Sequence, residues 1–331
     1  MKKILNDVKD VVVEMCEGMV MAHPGHLAFN ARYRILSRKT PNAKKVVLIS
    51  GGGSGHEPAH GGFVGSGMLD AAVCGDVFAS PSTTQVYNAL VQTKSEAGAL
   101  LIIKNYSGDC MNFDAAAEMA EEDDGVSVAR VYVNDDIAVK DSLYTVGRRG
   151  VAGTVFVHKI AGAAAEQGRS LEEVKAVAEK TIAGVRSLGF ALTSCTVPAK
   201  GTPTFALADD EIEFGVGIHG EPGTAREKIA SADALAGRIV DALVADLPFA
   251  AGDEAALMVN GLGGTPLQEL YLFNRAVGRR VEAKGLKVHK TFVGNYMTSI
   301  DMAGASVTLL RLDAEMKALL DAPADTPALK V

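Results

Sequence analysis

The strongest constraint in this chain is a short apolar run that breaks directly into glycine. Val46-Val47-Leu48-Ile49 leads without a spacer into Ser50-Gly51-Gly52-Gly53-Ser54-Gly55-His56-Glu57-Pro58. Four consecutive aliphatic residues bounded by turn formers read as a buried strand. Successive glycines let the backbone take positive φ and bring its N–H groups close to a ligand with no Cβ in the way. His56 follows at once, a titratable group beside whatever the loop holds. The pattern is neither G-x-x-x-x-G-K-[ST] nor G-x-G-x-x-G, so it does not by itself define a nucleotide site. A tight strand-to-helix turn with a surface histidine is the plain alternative.

Around this stretch the chain alternates. Apolar runs at 46–49, 71–74, 99–103 and 126–133 are separated by helical patterns near 82–94 and 111–122, the punctuation of an α/β fold with a largely parallel sheet. Ile4, Val8, Val11, Val12, Met15 and Met19 fall at helical spacing, which predicts a helix over 4–19 with the methionines in the core. Residues 150–189 are rich in helix formers, with Ser170-Leu171-Glu172-Glu173 as a helix start. An alternating run over 211–223 opens the second half, followed by strands at 255–260, 289–293 and 307–312 and helices near 225–246 and 266–284. With 331 residues there is length for two cores. The expected architecture is α/β with two domains, 1–185 and 186–331, each a central β-sheet flanked by helices. The Pro/Gly segment Pro198-Ala199-Lys200-Gly201-Thr202-Pro203 is expected near the boundary.

The net charge of −7, with no basic run, argues against nucleic acid and points to small molecules or proteins as partners. Cys16, Cys74, Cys110 and Cys195 show no C-x-x-C spacing, so neither a zinc knuckle nor a disulfide framework is expected. The N-terminus turns acidic too early for a signal peptide, and no apolar run approaches membrane-spanning length; a cytoplasmic location without membrane association is expected.

Three strand ends carry polar loops: Ser50 to Gly62, Gly75 to Pro81, and Lys104 to Asp109. In an open α/β sheet such carboxyl-end loops converge on one crevice. Ser80 or Ser82 is expected to cap the following helix. Lys104 and Asp109, in one loop, either pair with each other or serve a polar ligand as fixed charge and acceptor. His219, just before Gly220-Glu221-Pro222-Gly223, is a nucleophile, base or ligand, or else an ordinary loop histidine. His56 and His60 share a loop but lack companions at ligand spacing, so no metal is expected. The turn Asn260-Gly261-Leu262-Gly263-Gly264-Thr265-Pro266 reads as structural, and Glu121 to Asp124 as a solvated helix end.

Together these pieces resemble the substrate-binding subunit of the dihydroxyacetone kinase family. The resemblance is carried by residues 50–58; Leu101-Ile102-Ile103-Lys104-Asn105-Tyr106 with Gly108-Asp109; the stretch 135–144 from Asp135-Asp136 to Leu143-Tyr144; Gly147-Arg148-Arg149-Gly150; and 215–223. It runs in order over almost the whole chain. It implies that His219 attacks the ketone carbon of dihydroxyacetone through Nε2 to form a hemiaminal, a bond closed to glycerol. By the same resemblance His56 is the general base on the hydroxyl to be phosphorylated. Gly53 with its neighbours Gly52, Ser54 and Gly55 touches the substrate through the backbone, while Lys104 and Asp109 bind and orient it.

In one family plan a helical ATP-binding module continues the chain; in the other it is a separate subunit, whose ADP is rephosphorylated by a phosphotransferase-system protein. The chain resembles the second plan. No cofactor is then expected on this chain itself, ADP/ATP and Mg2+ being carried by the partner subunit, and a homodimer is expected. Two alternatives stay open: a non-catalytic relative that senses dihydroxyacetone to control transcription, and a kinase subunit for another small keto-polyol such as erythrulose. Because a hemiaminal needs an unprotonated imidazole nitrogen, capture is expected to weaken as pH falls.

Overall fold

The structure, a computed structural model, describes residues 2–142 and 145–331; Leu143 and Tyr144 of the 135–144 stretch lie outside the described residues. Two six-stranded sheets organise it. The first contains β1 (Leu27–Asn30), β2 (Ile35–Arg38), β3 (Val47–Ser54), β4 (Ala71–Val77), β5 (Ala99–Lys104) and β6 (Val128–Val133), in the order β1-β2-β4-β3-β5-β6. Its four strands from β4 to β6 run parallel, and β1 and β2 are added antiparallel. The second contains β7 (Val185–Ala191), β8 (Glu211–Phe214), β9 (Ala225–Lys228), β10 (Glu254–Gly261), β11 (Lys287–Gly294) and β12 (Gly304–Leu312), ordered β11-β10-β12-β7-β8-β9. Only β10 and β11 pair parallel there. The helices are α1 (Val11–Ala22), α2 (Thr83–Gln92), α3 (Ser107–Asp124), α4 (Thr154–Glu166), α5 (Leu171–Gly184), α6 (Ala232–Asp246), α7 (Leu267–Ala283) and α8 (Ala314–Asp321).

Strand alternation sorts the apolar residues into layers. On β5, Leu101 and Ile103 pack with α2 and α3 on one face, while Leu100 and Ile102 face the middle of the molecule. On β10, Ala256 and Met258 face that same middle layer, and Leu257 and Val259 meet α6 and α7 on the far side. Successive strand side chains point to opposite faces, so one sequence period fills two cores at once. Between the sheets lies α4, buried at every position from Thr154 to Ala165. A helix largely apolar around its circumference suits such a central layer, with Thr154, His158 and Lys159 as its buried polar residues. The change of sheet falls between β6 and β7, and the α4 and α5 side chains in that interval share one core with both sheets.

Several expectations shift. The first helix starts at Val11, not residue 4, because the Asp7 carboxylate accepts the Lys9 N–H and forms a competing turn, while Ile4 is exposed and adds no burial. The helix expected near 225 begins at Ala232, after the Ser231 cap, and 225–228 instead form edge strand β9. The 211–223 alternation is a strand only to Phe214; Gly215, at φ +77°, turns the chain. The 198–203 segment lies past the change of sheet, between β7 and β8. Lys104 closes β5 and Asp109 stands in the first turn of α3, so the loop between them shrinks to Asn105-Tyr106. Ser82, not Ser80, caps α2, in a full capping box with Gln85, and Ser170 does the same for α5 with Glu173.

Two helical glycines predict opposite outcomes for one substitution. A Cβ on Gly162 of α4 would lie 2.5 Å from both the Gly67 carbonyl oxygen and Met68 Cα, whereas one on Gly278 of α7 would meet nothing within 4 Å. Gly162→Ala is expected to destabilise by about 1–3 kcal/mol from overpacking despite alanine's helix preference. Gly278→Ala is expected to stabilise by about 0.5–1 kcal/mol. Urea unfolding of both variants checks the signs.

Candidate active site

The carboxyl ends of β3, β4 and β5 do converge. Gly53 from the first, Phe78 and Ser80 from the second, and Tyr106, Gly108 and Asp109 from the third line a cavity of about 370 Å³. The second half of the chain closes it with Thr204, Val197 and His219. Gly53 allows this approach because a Cβ there would sit 2.6 Å from the Ala79 nitrogen and 2.8 Å from Phe78 backbone atoms.

Two imidazoles meet at the cavity, His219 lining it and His56 fully buried behind it. His56 Nε2 is 3.1 Å from His219 Nε2, with ring planes at 78°. The outer nitrogen of each ring has an acceptor: His56 Nδ1 lies 2.7 Å from the Thr298 carbonyl oxygen, and His219 Nδ1 lies 2.8 Å from Glu221 Oε1. Glu221 Oε2 also accepts the His219 backbone N–H. Burial alone would raise the Glu221 carboxyl, but the His219 ring and Arg149 outweigh it and hold the group down at about 2. Burial, then the charges of Lys104 and His219, push His56 well below the ordinary histidine value. Phe78 stacks on His56 at 5.1 Å, and Tyr106 meets His219 edge-on at 4.7 Å, so neither ring has room to turn.

Lys104 is fully buried, and its Nζ has no hydrogen-bond partner among the described residues; the same holds for Tyr106 Oη and Asp109 Oδ1. Buried polar groups ordinarily find partners, so these three are the atoms best placed to meet a polar ligand. Burial lowers the Lys104 ammonium and raises the Asp109 carboxyl; Lys104 and a hydrogen bond from Ser80 partly restore the latter. A Cβ on Gly52 would lie 3.2 Å from Lys104 Nζ and 3.5 Å from Asp109 Oδ2, so the missing side chain keeps open the space between them. Lys104 lies behind the cavity wall, over the Tyr106 ring at 5.2 Å.

The other residues singled out in the loop are engaged within the protein. Ser54 Oγ donates to the Gly75 carbonyl, and the Gly55 N–H donates to the Glu57 carboxylate. His60 does not join His56. Its Nδ1 lies 3.0 Å from His158 Nε2 in a second, fully enclosed pair beneath the sheet. No group of three or more His, Cys, Asp or Glu positioned to hold a metal occurs among the described residues. Asn260 acts structurally: its side chain bonds the backbone of Tyr296 and Met297 and the hydroxyl of Ser306.

Sequence reasoning passed over Glu221, Tyr106 and Phe78 as site groups, and it missed what Arg149 does. Arg149 is fully buried, bonds Asp136 through Nε and the Gly215 carbonyl through Nη2, and turns Nη1 toward the turn that carries Glu221. The Glu two residues after His219 was the one available signal, a carboxylate within reach of an imidazole.

A two-sheet α/β protein with paired histidines, a buried lysine and a buried carboxylate at a small cavity is the class that the fold and site define. The Dak1 domain model matches residues 17–328, and the chain belongs to that family. It is 53% identical over 329 residues, covering 99% of this chain and 100% of the relative, to a Listeria innocua protein. That relative is named PTS-dependent dihydroxyacetone kinase 1, dihydroxyacetone-binding subunit DhaK. Identity is 45%, covering 99% of each chain, to the Escherichia coli PEP-dependent dihydroxyacetone kinase, dihydroxyacetone-binding subunit DhaK. Among solved structures, the dihydroxyacetone kinase operon co-activator Dha-DhaQ superposes with a TM-score of 0.91 at 40% identity, covering 98% of each chain. Both kinase relatives are named as the dihydroxyacetone-binding subunit of a dihydroxyacetone kinase.

The enclosed histidines make stability depend on pH. Burial, then the Lys104 charge, lower His158 to about 3 from an ordinary 6.5. The neutral native ring therefore contributes stability that is complete above pH 6.5 and is lost as pH falls toward about 3, where the unfolded chain binds a proton the native one refuses. Burial raises Asp136 to about 6, which opposes this trend, so the comparison must be with a variant. Urea midpoints of wild type and His158→Asn, measured between these limits, are expected to fall less steeply in the variant.

Proposed function

We propose that this chain is the dihydroxyacetone-binding subunit of a phosphotransferase-system-dependent dihydroxyacetone kinase, acting in the cytoplasm as a homodimer. The observation that carries the reading is His219, whose Nδ1 is committed to Glu221 so that Nε2 is the atom left for chemistry. Its attack on a ketone carbon forms an N–C bond, the C=O pair moves to oxygen, and a proton on that oxygen completes a hemiaminal. A polyol without a carbonyl has no such bond available, which separates dihydroxyacetone from glycerol more sharply than shape alone.

Capture at C2 fixes the terminal hydroxyl for the second step. Lys104 and Asp109 orient the bound diol, and His56 accepts the proton of the hydroxyl that receives phosphate. Phosphoryl transfer needs in-line geometry and charge neutralisation; nucleotide and Mg2+ come from the partner subunit, which a phosphotransferase-system protein recharges. The similarity to an operon co-activator supports a second reading, in which the same capture reports dihydroxyacetone to a transcription apparatus.

Reconstitution separates the two. With an ADP-carrying partner subunit and its phosphorylated donor, the chain is expected to convert dihydroxyacetone to its phosphate; with ATP alone it is expected to do nothing. Binding without turnover in the full mixture supports the co-activator reading, and turnover with ATP alone overturns the separate-partner assignment. His56→Ala is expected to lower kcat about 10²–10⁴-fold, the usual contribution of a positioned base. Calorimetry is expected to show that His219→Ala abolishes the preference for dihydroxyacetone over glycerol.

A further inference from the structure

The two imidazoles face each other through the ring nitrogens that their outer partners leave free. An amide carbonyl only accepts, so His56 Nδ1, 2.7 Å from the Thr298 oxygen, carries hydrogen. The ionised Glu221 carboxylate likewise accepts from His219 Nδ1. If both rings were neutral, each Nε2 would present a lone pair to the other across 3.1 Å. That contact is repulsive without a proton and a charge-assisted hydrogen bond with one.

We propose that His56 and His219 share one proton between their Nε2 atoms in the free protein, and that this proton is delivered to the carbonyl oxygen when His219 captures the ketone. The inference rests on the capture reading above and adds to it the order of events.

The step balances within the site. The bridging proton moves to His56, the freed His219 Nε2 pair forms the N–C bond, the C=O π pair goes to oxygen, and that oxygen takes the proton from His56 Nε2. His219 ends as an N-substituted imidazolium with Nδ1–H on Glu221, and His56 ends neutral. Proton count and net charge are unchanged, so no solvent proton is needed and the positive charge stays opposite Glu221 throughout.

The surroundings favour one proton and oppose a second. Glu221, backed by Arg149 from the turn behind it, stabilises a cation at His219. Lys104, at the end of β5, opposes further charge on His56; Asp109 from α3 offsets part of the Lys104 charge. Tyr106 and Phe78 wall the pair without adding charge. Burial makes His56 a weaker proton acceptor than an exposed imidazole would be.

This arrangement makes capture the trigger for catalysis. Before capture, the His56 lone pair is engaged by the bridge and the base is unavailable. After capture it is free, beside a substrate already fixed in place. Glycerol enters the same cavity but cannot release the base, so the bridge adds a kinetic barrier against the wrong substrate to the covalent one.

The bridge is read in the ligand-free protein by nitrogen-15 NMR of histidine-labelled samples. The expected result is one strongly deshielded proton coupled to an Nε2, absent in His56→Ala and in His219→Ala, retained with glycerol and lost on saturation with dihydroxyacetone. Two neutral rings with unprotonated Nε2 atoms would overturn the proposal, as would a bridge that survives saturation with the ketone. Calorimetry in buffers of differing ionisation enthalpy gives the second readout. Net proton exchange on binding is expected to be near zero while the pair holds its proton. At higher pH, where the pair has lost it, one proton is taken up and affinity falls about tenfold per pH unit, the reverse of the pH dependence expected for a lone imidazole that must lose its proton before it attacks. Uptake of one proton at every pH would overturn the bridge. Carbon-13 at C2 of the ketone reports the adduct separately, so a missing adduct overturns the capture reading while the free-protein spectrum still decides the bridge.

Discussion

Two adjacent buried carboxylates at the seam between the sheets hold the site together. Asp135, just past the end of β6, accepts the Val151 and Gly153 N–H groups at the entrance to α4 and the hydroxyl of Ser187 on β7. Asp136 is paired with Arg149, and Arg149 in turn grips the Gly215 carbonyl at the turn that leads to His219. Buried charges are costly unless paired and hydrogen-bonded, and here each is met by several donors. Removing one would leave its partners stranded in a low-dielectric interior, so the seam, the turn at 215 and the orientation of Glu221 hold or fail together.

A second set of bonds makes the site a joint product of both halves. Thr298 and Ile300, in the connection between β11 and β12, donate their N–H groups to the His56 and Gly55 carbonyls, while Thr298 returns its own carbonyl to the His56 ring. The glycine loop belongs to the first sheet but takes its shape from the second. His56 is thereby fixed at one ring nitrogen by an element far away in sequence, and its other nitrogen is aimed at His219. Preorganisation of this kind lets polar groups act without reorganising at the moment of reaction.

The cavity is chemically economical for its size. Histidine, lysine, carboxylate and phenol groups are all buried, and burial moves each away from its solution behaviour: the lysine down, the carboxyl and phenol up, His56 down. Opposite charges then push Lys104, Asp109 and Glu221 back, most strongly at Glu221, whereas at His56 the Lys104 and His219 charges add to the effect of burial. The result is one firmly ionised carboxylate beside His219 and, at His56, an imidazole that binds a proton less readily than an exposed one, a difference between two like residues set by their neighbours.

The sequence by itself determined the alternating α/β order, the positions of β3 to β6, β8 and β10 to β12, the cap at Ser170, a cap for α2 at Ser80 or Ser82, and the convergence of three carboxyl-end loops, whereas β1, β2, β7 and β9 went unread. These are local consequences of period, propensity and turn chemistry, all carried by neighbours in the chain. It also marked His56, His219, Lys104 and Asp109, through residue type and resemblance. It did not show that α4 lies buried between two sheets, because an alanine-rich helix reads the same with one buried face or all of them. Nor did it show that His56 pairs with His219 while His60 turns away to His158. Those partnerships join residues 163 and 98 positions apart. Only the packing of one sheet against the other decides which imidazoles meet, because the distance between two rings depends on the path of the whole chain and not on either local stretch.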